Sequence, residues 1–412
     1  MPPFPLPLEA LIGKTGLYLV FLAIGFFFGF VLEVSGFNHS PTLAAQFYFK
    51  DLRVFKVFFT AIATAMVLIF GSSALGLLDY NLIWVNETFL WSGIVGGLIM
   101  GVGFILGGFC PGTSIVALAT LKIDGIFFVL GGFVGAFLFS ETVGSFENFF
   151  NGSYYGRLTL MDVFGIPTGW LVLLVVLMAL GMFWGGEKLE ALFGKKETPA
   201  RPALRRIGAG SLIGAALLVL FIGQPTTADK WGRISTEKEA ALAAREVQIH
   251  PAELLSAMAD DRLQTVLLDI RSETDFNLFH IRGARNITVE TVPDLVAELR
   301  VGMAPNTVVV VMGNDEAAAV EVWKILVAES VPNVYVLEGG VNHWIAVFAE
   351  ESPEIAPAPD LAADETPDYL FPAALGERYD IAYPSPHHWG SLEFIPKIKL
   401  DLKRGPSGGG CG

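Results

Sequence analysis

Six apolar runs constrain this chain more than any other feature: residues 15–37, 54–78, 90–121, 123–143, 166–186 and 207–224. A helix needs roughly 20 residues to cross the hydrocarbon of a bilayer, and five of the runs fit that length. Lipid offers no partner to an open backbone N–H or C=O, so each run predicts a helix rather than an open sheet. The third run, Leu90 to Leu121, is longer than the rest and is broken at Cys110-Pro111-Gly112. All six runs fall in the first 225 residues, and the mean hydropathy of the whole chain is +0.55.

Charge divides the chain at the same place. Residues 1–225 hold 12 acids and 12 bases, whereas the remainder holds 29 acids and 15 bases, so the net charge of −14 belongs to the second part. An acidic domain with no basic stripe repels nucleic acid, and no nucleic-acid partner is expected. The predicted organisation is a polytopic all-α membrane domain of about six spans at 1–225, then a connector helix at 226–248. A small α/β domain with a parallel sheet follows at 249–350, a Pro- and acid-rich strap at 351–404, and a flexible Gly-rich arm at 405–412.

Lys and Arg predict the orientation. Lys50, Arg53 and Lys56 follow the first run, Lys122 follows the third, and Lys188, Lys195, Lys196, Arg201, Arg205 and Arg206 follow the fifth. The opposite loops, 79–87 and 141–162, hold Arg157 as their one base. If the third run crosses once, the three basic loops share a side. Both termini then lie outside, and in a diderm bacterium the acidic domain is periplasmic, with the spans in the inner (cytoplasmic) membrane. A re-entrant third segment inverts part of this. The first 14 residues lack the positive start and small-residue cleavage site of a signal peptide, so the first span is expected to be its own targeting signal.

An internal repeat accompanies the break. Gly25-xxx-Gly29 leads to Gly36-Phe37-Asn38, and Gly97-xxx-Gly101 leads to Gly108-Phe109-Cys110, at a constant offset of 72. The glycine spacing alone suits ordinary helix packing. The shared Gly-Phe-polar ending places Asn38 and Cys110 at equivalent ends of two related units. Broken helices in duplicated units form substrate sites in transporters. Cys110, Thr113 and Ser114, with backbone N–H groups freed around Pro111 and Gly112, form a candidate anion site at a helix start. The bland alternative is Cys110 as a small buried hydrophobe.

Gly107-Gly-Phe-Cys-Pro-Gly-Thr113, the preceding Gly-xxx-Gly span and the earlier Gly29-Phe-Val-Leu-x-x-Ser-Gly-Phe37 resemble the YeeE/YedE family of sulfur-compound transporters. The resemblance covers about Thr15 to Gly186. It implies thiosulfate uptake, with Cys110 as a relay thiol in a narrow pore. Full-length members carry two inverted halves with several cysteines. This chain resembles one half, with Asn38 where a further cysteine is expected, so the resemblance implies a second copy or a half-size membrane partner.

In the acidic domain, Val266–Ile270, Thr307–Met312 and Asn333–Leu337 predict buried parallel strands, and Glu316–Ala328 a helix. An amphipathic helix is expected near Thr236–Glu246. Leu268-Asp269-Ile270-Arg271, Glu273, Phe276, His280–Ile287, Leu337-Glu-Gly-Gly340 and Trp344 resemble a rhodanese-like domain. Rhodaneses hold sulfane sulfur on a cysteine after the central strand. Here Met312 stands at that position, before the loop Gly313-Asn314-Asp315-Glu316, and a thioether cannot form a persulfide. The resemblance therefore implies a degenerate loop at Met312, Gly313 and Asn314 that binds or positions and does not catalyse.

The chain has two cysteines, Cys110 and Cys411. Cys411 tips Gly405-Pro-Ser-Gly-Gly-Gly-Cys-Gly412, a sequence that resembles the swinging arm of the periplasmic sulfur carrier SoxY and implies a sulfur-carrier role for Cys411; the plain alternative is a disordered tail. His387-His388 lacks visible partners for a metal. No metal and no cofactor are expected. The partners expected are an inorganic sulfur anion, the lipid bilayer and periplasmic sulfur-handling proteins. Two function classes remain: a transporter of thiosulfate or a related sulfur species, or a membrane-anchored carrier or assembly subunit. An active sulfurtransferase is the weakest third.

Overall fold

A computed structural model describes residues 4–83, 85–193, 202–304, 306–349, 376–389 and 392–400. The chain divides into two compact units between Pro225 and Thr226. The first contains helices α1 (Leu8–Val34), α2 (Ser40–Ala44), α3 (Arg53–Ala74), α4 (Leu90–Gly107), α5 (Pro111–Ala119), α6 (Ile123–Thr142), α7 (Glu147–Phe150), α8 (Leu160–Phe164), α9 (Thr168–Phe193) and α10 (Pro202–Ile222). Six candidate spans are present among the described residues: Leu11–Val34, Arg53–Ala74, Leu90–Ala119, Ile123–Phe150, Thr168–Phe193 and Arg205–Ile222.

The sequence repeat is also a structural one. α1 ends at Gly36 (φ 75°) and α4 at Gly108 (φ 71°), both left-handed, a conformation that glycine alone adopts freely. Each stop is followed by a Phe and a polar residue, then by a short helix with proline in its first turn, α2 or α5. Phe37 and Phe109 are each 1% exposed and share one apolar cluster with Leu32, Leu43, Val54 and Ala117. A Cβ at Gly108 would fall 2.8 Å from Ser40 Cβ, so the two breaks pack against each other.

Polar contacts show which loops share an end. Glu190 near the end of α9 accepts from Leu52 N at 2.8 Å and pairs with Lys56 at the start of α3. Ser40 Oγ donates to Asp124 Oδ2 at 2.9 Å, at the start of α6. At the opposite end, Tyr80 packs on Phe70 at 5.0 Å, Gln224 Nε2 donates to Phe70 O, and Phe89 bridges Tyr154. α4 therefore starts at the second end and α6 starts at the first. Residues 90–121 make one net crossing with a break inside it, and the described basic residues Lys56, Lys122 and Lys188 lie at one end.

α3, α9 and α10 form the tightest helix group, around Val67, Phe70, Val172, Val176, Ala216 and Val219. Without a hydrophobic drive in lipid, close backbone approach supplies the packing. Gly169 provides it, since a Cβ there would lie 2.8 Å from Leu220 Cα. Gly25, Gly29, Gly97 and Gly101 behave differently: a Cβ at any of them meets nothing within 4 Å among the described residues.

The second unit begins with α11 (Thr227–Ala243), nine residues earlier than Thr236. Thr226 and Asp229 form a capping box that the apolar pattern did not reveal. Then follow β1 (Gln248–Ile249), α12 (Pro251–Met258), β2 (Gln264–Asp269), α13 (Glu273–Leu278), β3 (Ala284–Asn286), α14 (Val292–Gly302), β4 (Thr307–Met312), α15 (Ala317–Ala328), β5 (Val334–Leu337) and α16 (Gly340–Phe348). The sheet is wholly parallel, in the order β1-β5-β4-β2-β3. Central β4 is buried at every residue, as a strand covered by helices on both faces must be.

The strap expected at 351–404 is partly a core element. Ile381 and Ala382 are buried in the main cluster, Trp344 Nε1 donates to Ile381 O at 2.7 Å, and Arg282 N donates to Ala382 O at 2.9 Å. Glu253 Oε1 accepts from Lys397 N and Ile398 N at 2.6 and 2.8 Å. Scattered apolar residues among acids hid this packing from composition alone.

Candidate functional site

Cys110 is the N-cap of α5. Gly108 turns the chain out of α4, Phe109 anchors in the apolar cluster, and Cys110 adopts an extended conformation (φ −92°, ψ 166°) that suits a cap. Its Sγ accepts from Thr113 N at 3.4 Å and lies 3.3 Å from Thr113 Oγ1, while Cys110 N donates to Thr113 Oγ1 at 3.0 Å. This is a capping box built with a thiol. Pro111 fits at the first helical position because its missing N–H would be unbonded there anyway. Cys110 is half-buried.

α5 packs on α6 with Ala117 against Gly125, and its nine residues rise about 14 Å. The thiol lies at the positive end of α5. Thr113 and Ser114 are 1% and 3% exposed, and their hydroxyls donate within α5, to Cys110 O at 3.2 Å and Pro111 O at 2.8 Å. They shape the turn around the thiol. Gly112 stays open to it, its Cβ position 4.0 Å from Sγ. Asn38 is 5% exposed and donates from Nδ2 to Thr120 Oγ1 at 3.3 Å, at the other end of α5. It ties the first break to α5 and is not brought against the thiol.

In the second unit, Met312 is fully buried in the core on one face of the sheet. Gly313 opens the loop, so the loop-facing position has no side chain at all. The loop is filled from within: Asp315 Oδ1 accepts from Ala317 N at 2.9 Å, and Glu316 accepts from Gly339 N at 2.8 Å and from both terminal nitrogens of Arg245. Asn314 Nδ2 donates to Asp275 at 3.4 Å. Burial works to raise the Glu316 pKa, but hydrogen bonds from Arg245 and Gly339 N–H outweigh it and hold the carboxyl below its usual range. Two backbone N–H groups at the loop, those of Ala317 and Gly339, are bonded to the chain's own carboxylates.

The rhodanese-like landmarks are structural. Arg271 grips Asp269 with two nitrogens, at 3.0 and 2.7 Å, and donates to Phe279 O, with both side chains 6% exposed or less. His280 is fully buried, its Nδ1 2.8 Å from Phe276 O. Cys411 lies outside the described residues. No group of three metal-ligating side chains occurs among the described residues.

These two units define a multi-pass membrane protein with a rhodanese-like α/β domain. The chain belongs to the sulphur transport family, which matches it over residues 35–257, and the rhodanese-like domain matches over 250–347. It is 29% identical over 191 residues to the thiosulfate transporter TsuA of Spirochaeta thermophila, an alignment covering 43% of this chain and 54% of that protein. The chain thus spans about half the length of the curated relative it matches. No solved structure matches it.

Proposed function

We propose that the chain moves thiosulfate or a related inorganic sulfur anion across the bacterial inner membrane, with Cys110 as the thiol that meets the anion inside the span. The observation that carries this is the helix break: an N-cap cysteine at the positive end of α5, within a helix run of membrane length. Thiol and helix end together suit a soft sulfur atom on a charged body. The likeness to a thiosulfate transporter supports the substrate class.

The gathering of the basic residues at one end supports an orientation with that end cytoplasmic, which leaves the rhodanese-like unit and Cys411 outside. The unit then binds or positions, and the Cys411 arm captures or hands over sulfur from periplasmic proteins. The unpacked Gly25/Gly29 and Gly97/Gly101 faces support pairing with a second copy or a half-size partner that completes the pore. Uptake of labelled thiosulfate into vesicles tests the proposal: transport by the wild type that is unchanged in Cys110→Ala would sink the relay.

The second reading is a membrane-anchored sulfur carrier within a larger complex. The filled loop at Gly313–Glu316, with no thiol in it, favours a docking role for that unit. Co-purification with a complex and absence of uptake in vesicles would favour this reading.

A further inference from the structure

Arg157 is the one base in loops 79–87 and 141–162, at the end of the membrane unit away from the basic residues. Its guanidinium lies over the Tyr80 ring, 5.1 Å from the centroid. Nε and Nη2 are sealed from solvent and have no hydrogen-bond partner among the described residues. These two nitrogens form the side-on edge of the guanidinium, whose parallel N–H groups grip two oxygens of a carboxylate or an oxyanion at once. A buried charged donor without an acceptor is among the rarest features of folded proteins.

Two of the loop carboxylates are committed elsewhere: Asp79 accepts from Asn81 N at 2.9 Å, and Asp162 accepts from Thr159 N and Oγ1 at 2.8 and 2.7 Å. The backbone before Arg157 is hydrogen-bonded to the facing loop. Gly156, buried at φ 61°, accepts from Thr88 N at 2.8 Å; Tyr155 N donates to Thr88 O at 2.9 Å, and Leu90 N to Ser153 O at 3.1 Å. Tyr80 is held in turn by Phe70 at 5.0 Å. Among the described residues no carboxylate accepts from these two nitrogens.

We infer that Arg157 is an oxyanion-binding residue at the mouth of the membrane unit opposite the basic end, receiving a small tetrahedral oxyanion of the thiosulfate or sulfate class through its Nε/Nη2 edge. The substrate class rests on the transport reading above; the anion site does not. Because both nitrogens are covered, binding displaces the loop around Tyr80, so the site admits an anion by opening and is not a surface patch. A lipid phosphate offers the same three-oxygen face and is the rival source.

The test uses the purified full-length chain in nanodiscs of neutral lipid and follows its thermal unfolding with added thiosulfate, sulfate or phosphate, beside thiosulfate uptake in vesicles. The expected result is anion-dependent stabilisation in the wild type, lost in Arg157→Gln. The KM for uptake should rise about 10- to 100-fold, the loss of a charge-assisted pair, with the maximal rate retained. Arg157→Lys keeps the charge without the fork and should fall between the two; it carries the test if Arg157→Gln does not fold. Stabilisation without any uptake would overturn the transport reading and leave the anion site standing. Equal stabilisation and equal KM in wild type and variants would overturn the anion site. A response to anionic lipid with none to free anions would overturn it too, in favour of a headgroup.

Discussion

Cys110 and Thr113 close the first turn of α5 on each other: Thr113 N donates to Cys110 Sγ at 3.4 Å while Cys110 N donates to Thr113 Oγ1 at 3.0 Å. The thiol that the transport proposal needs is therefore also a structural cap. Serine caps well, so Cys110→Ser should leave thermal unfolding unchanged, whereas Cys110→Ala should cost about 0.5–2 kcal/mol. Both should lower thiosulfate uptake. Full uptake by the serine variant would show that any cap suffices and that the sulfur is not used.

Gly169 and Leu220 set the distance between α9 and α10. A Cβ at Gly169 would stand 2.8 Å from Leu220 Cα, and backbone cannot swing aside. Gly169→Ala should destabilise the membrane unit by about 1–3 kcal/mol, seen as a lowered unfolding midpoint in detergent. Gly25→Ala and Gly97→Ala, with open space at both positions, should be near neutral in a single chain. If those faces hold a second copy, larger residues there should shift the protein toward monomer in cross-linking or native mass analysis.

Arg271 and Asp269 are a buried ion pair, and removing one partner strands the other charge. Arg271→Ala should cost about 3–5 kcal/mol in the rhodanese-like unit, measured as lost hydrogen-exchange protection of β2 and β3. Exchange unchanged from the wild type would show that the pair is not what fixes the β2–α13 turn.

Glu316 links acid sensitivity to the degenerate loop. Its folded pKa lies below the ordinary value because Arg245 and Gly339 N–H favour the charged form more than burial opposes it. Such a group stabilises fully above its unfolded pKa, and the gain is lost as pH falls through the lower folded value. Stability should therefore decline as pH drops below about 4.5, the unfolded side of that window, and Glu316→Gln should be less stable at neutral pH with a shallower decline. An acid profile identical in both proteins would remove the Arg245–Glu316 contact as the cause.

The two breaks illustrate how far pattern reading reached. Apolar length gave the spans, and Gly36 and Gly108 marked the stops because few residues but glycine hold a left-handed backbone. The sharing of one apolar cluster by Phe37 and Phe109 was not legible, since a repeat in sequence says nothing about which copies pack together. α11 was placed late because its start is polar: Thr226 and Asp229 cap it, and hydropathy does not see a cap. The helix pattern of the glycines suggested packing at Gly25 and Gly97, yet close approaches to a facing backbone are found at Gly125 and Gly169, where only the neighbouring helix distinguishes one glycine from another.

By itself the sequence determined that the chain has a membrane part of six apolar runs and an acidic α/β part, and that its thiols number two. Those properties are sums over composition and local period, which need no partner. The tertiary structure alone decided that Cys110 caps α5, that Asn38 binds the far end of that helix, and that Arg157 buries two guanidinium nitrogens with no acceptor among the described residues. Each depends on which distant atoms come within hydrogen-bonding range, and only the folded chain sets that distance.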